Sequence, residues 1–138
     1  MSDPRDANVY EAQRWLQQAG ECCAAGEWAA RGRHWPSACF QFQQTAELAP
    51  KALLIRQGET IRVHGLLHLL ELLRPYHPEV SSLGEAARSL DRFYIPTRYP
   101  DALPTGTAAA YFAEQDSAAA RTAAGNVLAF GRQKLGLP

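Results

Sequence analysis

The sequence has 138 residues, of which 46% are hydrophobic and 20% charged, and its formal net charge is zero. These values lie near the averages for a soluble globular protein, and the length predicts a single domain over residues 1–138. A neutral chain excludes a protein that coats nucleic acid through a global positive field, although a local basic patch remains compatible with it.

The N-terminal stretch "MSDPRDANVYEAQRW" has no apolar core of a signal peptide. No apolar run approaches the roughly 20 residues that span a bilayer, so we expect a cytoplasmic protein without membrane contact. In that compartment Cys22, Cys23 and Cys39 are reduced. Adjacent cysteines on a helix diverge by about 100°, so we interpret all three thiols as packing groups rather than metal ligands.

An apolar stripe with spacings of three and four predicts a first helix over about residues 7–25. Either Asp3 or Asp6 is placed to cap its start. Gly26 and Gly32 interrupt the following segment, which we interpret as a loop or a frayed helix end. The stripe consists of Val9, Ala12, Leu16, Ala19 and Cys23.

The second predicted helix begins near Trp35 and Pro36, and Gly58 is placed at its C-terminal end. Pro50 predicts a kink, because it lacks the N–H that would bond the carbonyl four residues earlier. The apolar pattern continues after it, so a stop is not expected. The stripe of this helix consists of Cys39, Phe42, Ala46, Ala49 and Leu53.

The remaining segments are also helical in pattern. "LLHLLELL" predicts a short, covered helix, and Ser81 or Ser82 is expected to cap the next one, with Glu85 completing a capping box on Ser82. "PTRYPDALPTGTAA" is a long irregular loop, a kind of loop that is often functional. The last helix is predicted over about residues 116–135. No segment alternates like a half-buried strand, so the class is all-α: an up-and-down four-helix bundle with one additional short helix.

The order of these segments resembles the HEPN domain, a small helical bundle associated with nucleotide and RNA chemistry. The resemblance covers about residues 7–135. Its most specific parts are "FYIPTRYPD" and "QQTAE" followed by "KALL". It implies a homodimer, often the partner of a minimal nucleotidyltransferase in a toxin–antitoxin pair, and in many members a metal-independent endoribonuclease.

The catalytic motif that the resemblance implies is an arginine followed, after four to six residues, by a histidine. Arg98 matches the arginine, but the histidine positions hold Leu103, Pro104 and Thr105. Imidazole is suited to proton transfer near neutral pH, and general acid–base help is worth about 10²–10⁴ in rate. The missing imidazole therefore favours binding over catalysis, and the enzyme class stays open.

Two other histidine patterns are weaker. Arg62 and His68 have the spacing of the motif but lie on the wrong element. His64 and His68 are four apart, yet no third metal ligand accompanies them, so no metal or other cofactor is predicted. We expect His64 to cap a helix or to make a hydrogen bond between helices.

The segment Asp91–Asp101 concentrates aromatic and ionisable groups. One reading is structural, with Asp91 paired to Arg98 and the tyrosines packed. The other is a ligand site, in which arginines hold phosphate and a tyrosine stacks on a base. The candidate ligand-binding residues are Arg98, Tyr99, Asp101, Asp91, Arg92 and Tyr94.

The sequence thus predicts a nucleotide- or RNA-binding bundle that accompanies a nucleotidyltransferase. Two alternatives stay open at this point: an endoribonuclease toxin that uses Arg98 with a displaced base, and a structural homodimer without ligand.

Overall fold

A computed structural model describes the backbone of residues 4–137 and the side chains of residues 6–137, and every regular element in that range is helical. Three 3₁₀ turns accompany the α-helices, at residues 78–83, 100–102 and 108–110. The predicted all-α class is therefore confirmed. The helices are α1 (Pro4–Arg31), α2 (Trp35–Arg56), α3 (Leu66–Leu73), α4 (Gly84–Asp91) and α5 (Glu114–Lys134).

The long helix α2 is the centre of the bundle. It packs along α1 and α5, and the two short helices α3 and α4 cover its remaining side. Its predicted stripe is confirmed, because all five residues from Cys39 to Leu53 are buried in the core. In α1 the middle of the stripe is buried, whereas Val9 and Cys23 are half-buried at its edges. No helix within residues 4–137 is both long and apolar enough to cross a membrane.

The predicted end of α1 is wrong, since the helix continues through Gly26 to Arg31. Gly26 is buried against Phe42, and a Cβ atom added there would lie only 2.7 Å from the Phe42 ring. The glycine is therefore a contact surface that lets α1 and α2 approach each other closely. Its cost in helix propensity, about 1 kcal/mol, is small beside the packing that it permits.

The end of α2 follows the prediction more closely. Gly58 has a positive φ of 83° and follows the last turn, as expected of a glycine at this position. The Gly58 N–H donates to the Ile55 carbonyl, and the Glu59 N–H donates to the Leu54 carbonyl, which closes the helix end. The helix passes through Pro50 without stopping, as predicted; the kink itself stays a prediction.

The caps of α1 and α4 differ from the predictions. Asp3 lies outside the described residues, and Asp6 lies within the first turn of α1 rather than before it. Ser81 and Ser82 lie in a 3₁₀ turn and donate their hydroxyl hydrogens to backbone carbonyls, so neither caps α4. Because this turn takes up the first residues of the expected fourth long helix, α4 is only 8 residues long.

Candidate functional site

The segment after α4 forms a further helical turn, in which the Arg98 N–H donates to the Ile95 carbonyl. Phe93 fixes this turn to the protein, because its buried ring packs edge-on against Phe112 with centroids 5.5 Å apart. The Thr97 hydroxyl donates to the Phe93 carbonyl. The backbone that carries Arg98 is thereby held on both sides of the turn.

The Arg98 guanidinium lies among three aromatic rings, an arrangement that we call the Arg98 stack. Its central carbon is 4.7 Å from the ring centroid of Phe40 on α2, 4.6 Å from that of Tyr94 and 5.0 Å from that of Tyr99. Its Nε donates to the Tyr94 carbonyl at 3.1 Å. These distances suit cation–π attraction, so the rings and one hydrogen bond hold the guanidinium in place.

The outer edge of the Arg98 guanidinium has no protein partner among residues 6–137. No carboxylate in that range lies within 4.0 Å of it, and its Nη1 and Nη2 make no hydrogen bond there. The residue is exposed. An arginine whose position is fixed and whose two terminal nitrogens are open offers the bidentate fork that phosphate prefers.

The structure brings Tyr94 and Tyr99 to Arg98 but directs Arg92 elsewhere. Arg92 lies over the Phe93 ring at 4.8 Å, and its Nη2 is 4.0 Å from the Asp116 carboxylate at the start of α5. These contacts share no residue with those of Arg98. Asp101 is exposed in the turn at residues 100–102 and accepts no hydrogen bond from any residue in 6–137.

Asp91 caps α3 instead of pairing with Arg98. Its two carboxylate oxygens accept the backbone N–H groups of Leu66 at 2.7 Å and Leu67 at 3.2 Å. These are the first residues of α3, where helices leave N–H groups without internal partners. The structural reading that paired Asp91 with Arg98 is therefore wrong. The Asp91 carboxylate instead joins the end of α4 to the start of α3.

A second polar group lies near this junction, and sequence reasoning missed most of it. We call Glu47, Lys51 and His64 the Lys51 cluster. The Lys51 Nζ lies 2.8 Å from Glu47 Oε2 and 3.0 Å from His64 Nδ1. The other Glu47 oxygen accepts a hydrogen bond from the Gln43 amide at 3.4 Å. We expected His64 to cap a helix or to make a hydrogen bond between helices; the residue lies in the connector before α3, and its ring contacts Lys51 on α2.

Burial divides the Lys51 cluster into two parts. The side chains of Glu47 and Lys51 are only 6% and 7% exposed, whereas that of His64 is 65% exposed. The sequence did contain a signal, because Glu47 and Lys51 are four apart on a helix, the spacing of an ion pair. Such pairs lie mostly on surfaces, so the spacing did not reveal the burial.

The three cysteines are not activated as thiolates, because burial raises the pKa of each one. Burial, reinforced by the Asp116 carboxylate, raises the pKa of the Cys39 thiol to about 12, which leaves it protonated and unreactive. Burial also raises the pKa of Cys22 and Cys23. Within the described part of the chain no three His, Cys, Asp or Glu side chains are grouped as metal ligands.

The sequence was compared with models of known protein families. The HEPN domain model matches residues 12–134, which is most of the chain. The chain belongs to the HEPN family. The resemblance inferred from the two sequence anchors is thereby confirmed.

Solved structures similar to this HEPN chain come from several prokaryotes. The crystal structure of TT1696 from Thermus thermophilus is 39% identical, with a TM-score of 0.84, and the match covers 89% of this chain and 97% of that one. ST0689, an archaeal HEPN homologue, is 31% identical with a TM-score of 0.76, over 90% of this chain and 97% of that one. The comparison with curated proteins gave no match.

A more distant HEPN domain protein, TM0613 from Thermotoga maritima, shares the fold at 24% identity. Its TM-score is 0.57, and the match covers 94% of this chain and 98% of that one.

The histidine positions of the family's catalytic motif lie in the loop after the Arg98 stack. Leu103 is half-buried there. The backbone N–H of Thr105 donates a hydrogen bond to the Tyr111 hydroxyl at 3.3 Å. No histidine is among the described residues that contact Arg98. Within residues 6–137, Arg98 therefore has no imidazole among its contacts.

Proposed function

We propose that this HEPN protein binds nucleotide or RNA, with Arg98 as the residue that holds a phosphate. The observation that carries the proposal is the Arg98 stack: three rings and one backbone carbonyl fix the guanidinium, while its terminal nitrogens make no hydrogen bond with residues 6–137. A free arginine side chain loses rotamer entropy when it binds a ligand. Arg98 has already lost most of that freedom, so its contact with phosphate is preorganised.

The aromatic residues of the stack extend the proposal to the bases. The Tyr99 side chain is half-exposed, and only one face of its ring is turned toward Arg98. Half of the residue is exposed, so we propose that a base stacks on this ring, a contact worth about 1–3 kcal/mol per base. Tyr94, by contrast, is more buried and serves mainly to hold Arg98.

We further propose that the protein works as a homodimer together with a minimal nucleotidyltransferase, as a toxin–antitoxin type of pair. Family membership supports this part of the proposal. A nucleotidyltransferase gene beside the gene of this protein, and co-purification of the two products, would be the supporting observation. Co-expression without any complex would contradict it.

Binding to a fluorescent single-stranded RNA of 12 nucleotides, measured by anisotropy at one fixed salt concentration, tests the role of Arg98. We expect Arg98→Ala to weaken binding about tenfold or more, because a charge-assisted contact to phosphate is lost. Arg98→Lys keeps the charge but loses the planar fork, so an intermediate affinity is expected. RNA affinity of Arg98→Ala within twofold of the unchanged protein would contradict the proposal.

The matched control is Arg74→Ala, which changes the net charge equally. Arg74 is exposed just beyond the far end of α3 and pairs with Glu71, so its loss should reduce affinity only slightly. We expect the RNA to stay intact during these measurements. Cleavage that disappears with Arg98→Ala would favour the endoribonuclease instead, and a stable dimer without RNA binding would favour the structural homodimer.

A further inference from the structure

The Lys51 cluster places a lysine and a glutamate where an apolar pair would pack more simply. Removing two charges from water is unfavourable, and replacing a buried ion pair with apolar residues is often neutral or stabilising. Stability alone therefore gives little reason for Glu47 and Lys51. Their shared neighbour is the exposed His64, which suggests that the pair serves the imidazole.

Lys51 determines which nitrogen of His64 carries the hydrogen. An ammonium group is a donor without acceptor capacity, so the His64 Nδ1 at 3.0 Å accepts from it, while the Glu47 Oε2 lies further from the same nitrogen, at 3.6 Å. The hydrogen of a neutral imidazole then lies on Nε2. Because the side chain is 65% exposed, the ring nitrogen that does not contact Lys51 is available to a ligand as an N–H donor. His64 in this form is suited to binding an oxygen rather than to removing a proton.

His64 and Arg98 lie toward opposite ends of one face of α2. Arg98 contacts Phe40 near the start of the helix, and His64 contacts Lys51, eleven residues further along. At a rise of 1.5 Å per residue, Phe40 and Lys51 lie about 16 Å apart along the axis of α2. Asp91, seven residues before Arg98, contacts the start of α3 two residues after His64, so the segment 91–98 connects the two regions.

We propose that His64 is a second binding residue, which donates its Nε2 hydrogen to a phosphate of a single RNA strand whose other end is held by Arg98. Lys51 and Glu47 are positioning residues that fix the tautomer. The two α2 residues that these donors contact, Phe40 and Lys51, lie about 16 Å apart along the helix axis, which is more than a single nucleotide spans. The ligand class is therefore an oligonucleotide rather than a mononucleotide. This inference rests on the proposed function.

Affinities for single-stranded RNAs of 2, 4, 6, 8 and 12 nucleotides test the second contact. For the unchanged protein we expect affinity to rise steeply between the dinucleotide and the first strand that is long enough to reach both residues. His64→Ala should weaken binding of the 12-mer about tenfold while leaving the dinucleotide unaffected, because a dinucleotide reaches only one donor. His64→Gln, whose amide also donates a hydrogen, should restore most of the affinity. His68→Gln is the control, as it changes an exposed histidine four residues away.

The positioning role has its own readout. Nitrogen-15 chemical shifts of His64 in the unchanged protein should show the form with hydrogen on Nε2. In Glu47→Gln/Lys51→Met, which removes both buried charges together, we expect a mixture of tautomers and a weaker 12-mer complex.

The outcomes separate the two proposals. A His64→Ala protein that binds the 12-mer as tightly as the unchanged protein, while Arg98→Ala does not, would overturn the second contact and leave the proposed function standing. No binding of any RNA by the unchanged protein would overturn both.

Discussion

The Arg98 stack and the Lys51 cluster hold a polar group in opposite ways. Arg98 is exposed and is held by three rings and one carbonyl. Three of these four contacts come from Tyr94 and Tyr99, which lie within four residues of Arg98 in the sequence. Lys51 is buried and is held by charges, and its contact to His64 spans thirteen residues. The first arrangement leaves a charge open to a ligand, whereas the second uses a buried charge to orient the imidazole of His64.

This difference predicts whether a substitution in each region changes mainly the free energy of unfolding or mainly the free energy of RNA binding. Cation–π contacts at an exposed site contribute about 0.5–1 kcal/mol, whereas an uncompensated buried charge costs several kcal/mol. Changes in the Lys51 cluster should therefore affect stability first, and changes in the Arg98 stack should affect binding first. Three substitutions test this division, beginning with the one expected to have the largest effect.

Lys51→Met should lower the free energy of unfolding by about 3 kcal/mol, because it leaves the buried Glu47 carboxylate without its cation. This is the lower end of the usual range, since the Gln43 amide still donates to Glu47. Urea-induced unfolding followed by circular dichroism measures the loss.

The control for this change is Glu47→Gln/Lys51→Met, in which no unpaired charge is buried. We expect it to recover most of the lost stability. If the single variant lost less than about 1 kcal/mol, the pair would have to be solvated, and the contrast with the Arg98 stack would disappear.

Asp91→Ala should cost about 1–2 kcal/mol, because both N–H groups at the start of α3 lose their acceptor. Faster amide hydrogen exchange should be confined to α3 and the residues just before it. Asp101→Ala is the matched control, as it removes the same charge from an exposed turn and should leave exchange unchanged. Equal effects of the two variants would refute the capping role.

Arg98→Ala should have the smallest effect on stability, about 0.5–1 kcal/mol, since only exposed ring contacts and one exposed hydrogen bond to the Tyr94 carbonyl are lost. The same variant is expected to lose most RNA affinity, so stability and binding would move independently at this position. A decrease of more than about 2 kcal/mol in the unfolding free energy would place Arg98 among the structural residues instead.

The core of the fold could be predicted from sequence because it depends on local periodicity. The stripe of α2 contains five residues that recur every three or four positions, and all five are buried. The same reasoning wrongly predicted that Gly26 interrupts α1, because the role of this glycine depends on Phe42, sixteen residues away on another helix. Propensity describes the isolated helix and does not register what packs against it.

The candidate site could be predicted only in part for a related reason. Arg98, Tyr94 and Tyr99 are close in sequence, so their concentration in one segment was visible. Asp91 was also singled out, but its partners are twenty-five residues away at the start of α3, and no pattern in the sequence connects them. Contacts between distant elements follow from the tertiary arrangement and not from spacing.

The close approach of α1 and α2 at Gly26 also determines which variants this protein can tolerate during evolution. Any side chain at residue 26 would require the Phe42 ring or its helix to shift, and Phe40, two residues earlier on the same helix, contacts Arg98. We therefore expect substitutions at residue 26 to affect the Arg98 stack as well as the core. Variants that lose function should accordingly occur in the buried contact between α1 and α2 as well as at the exposed surface.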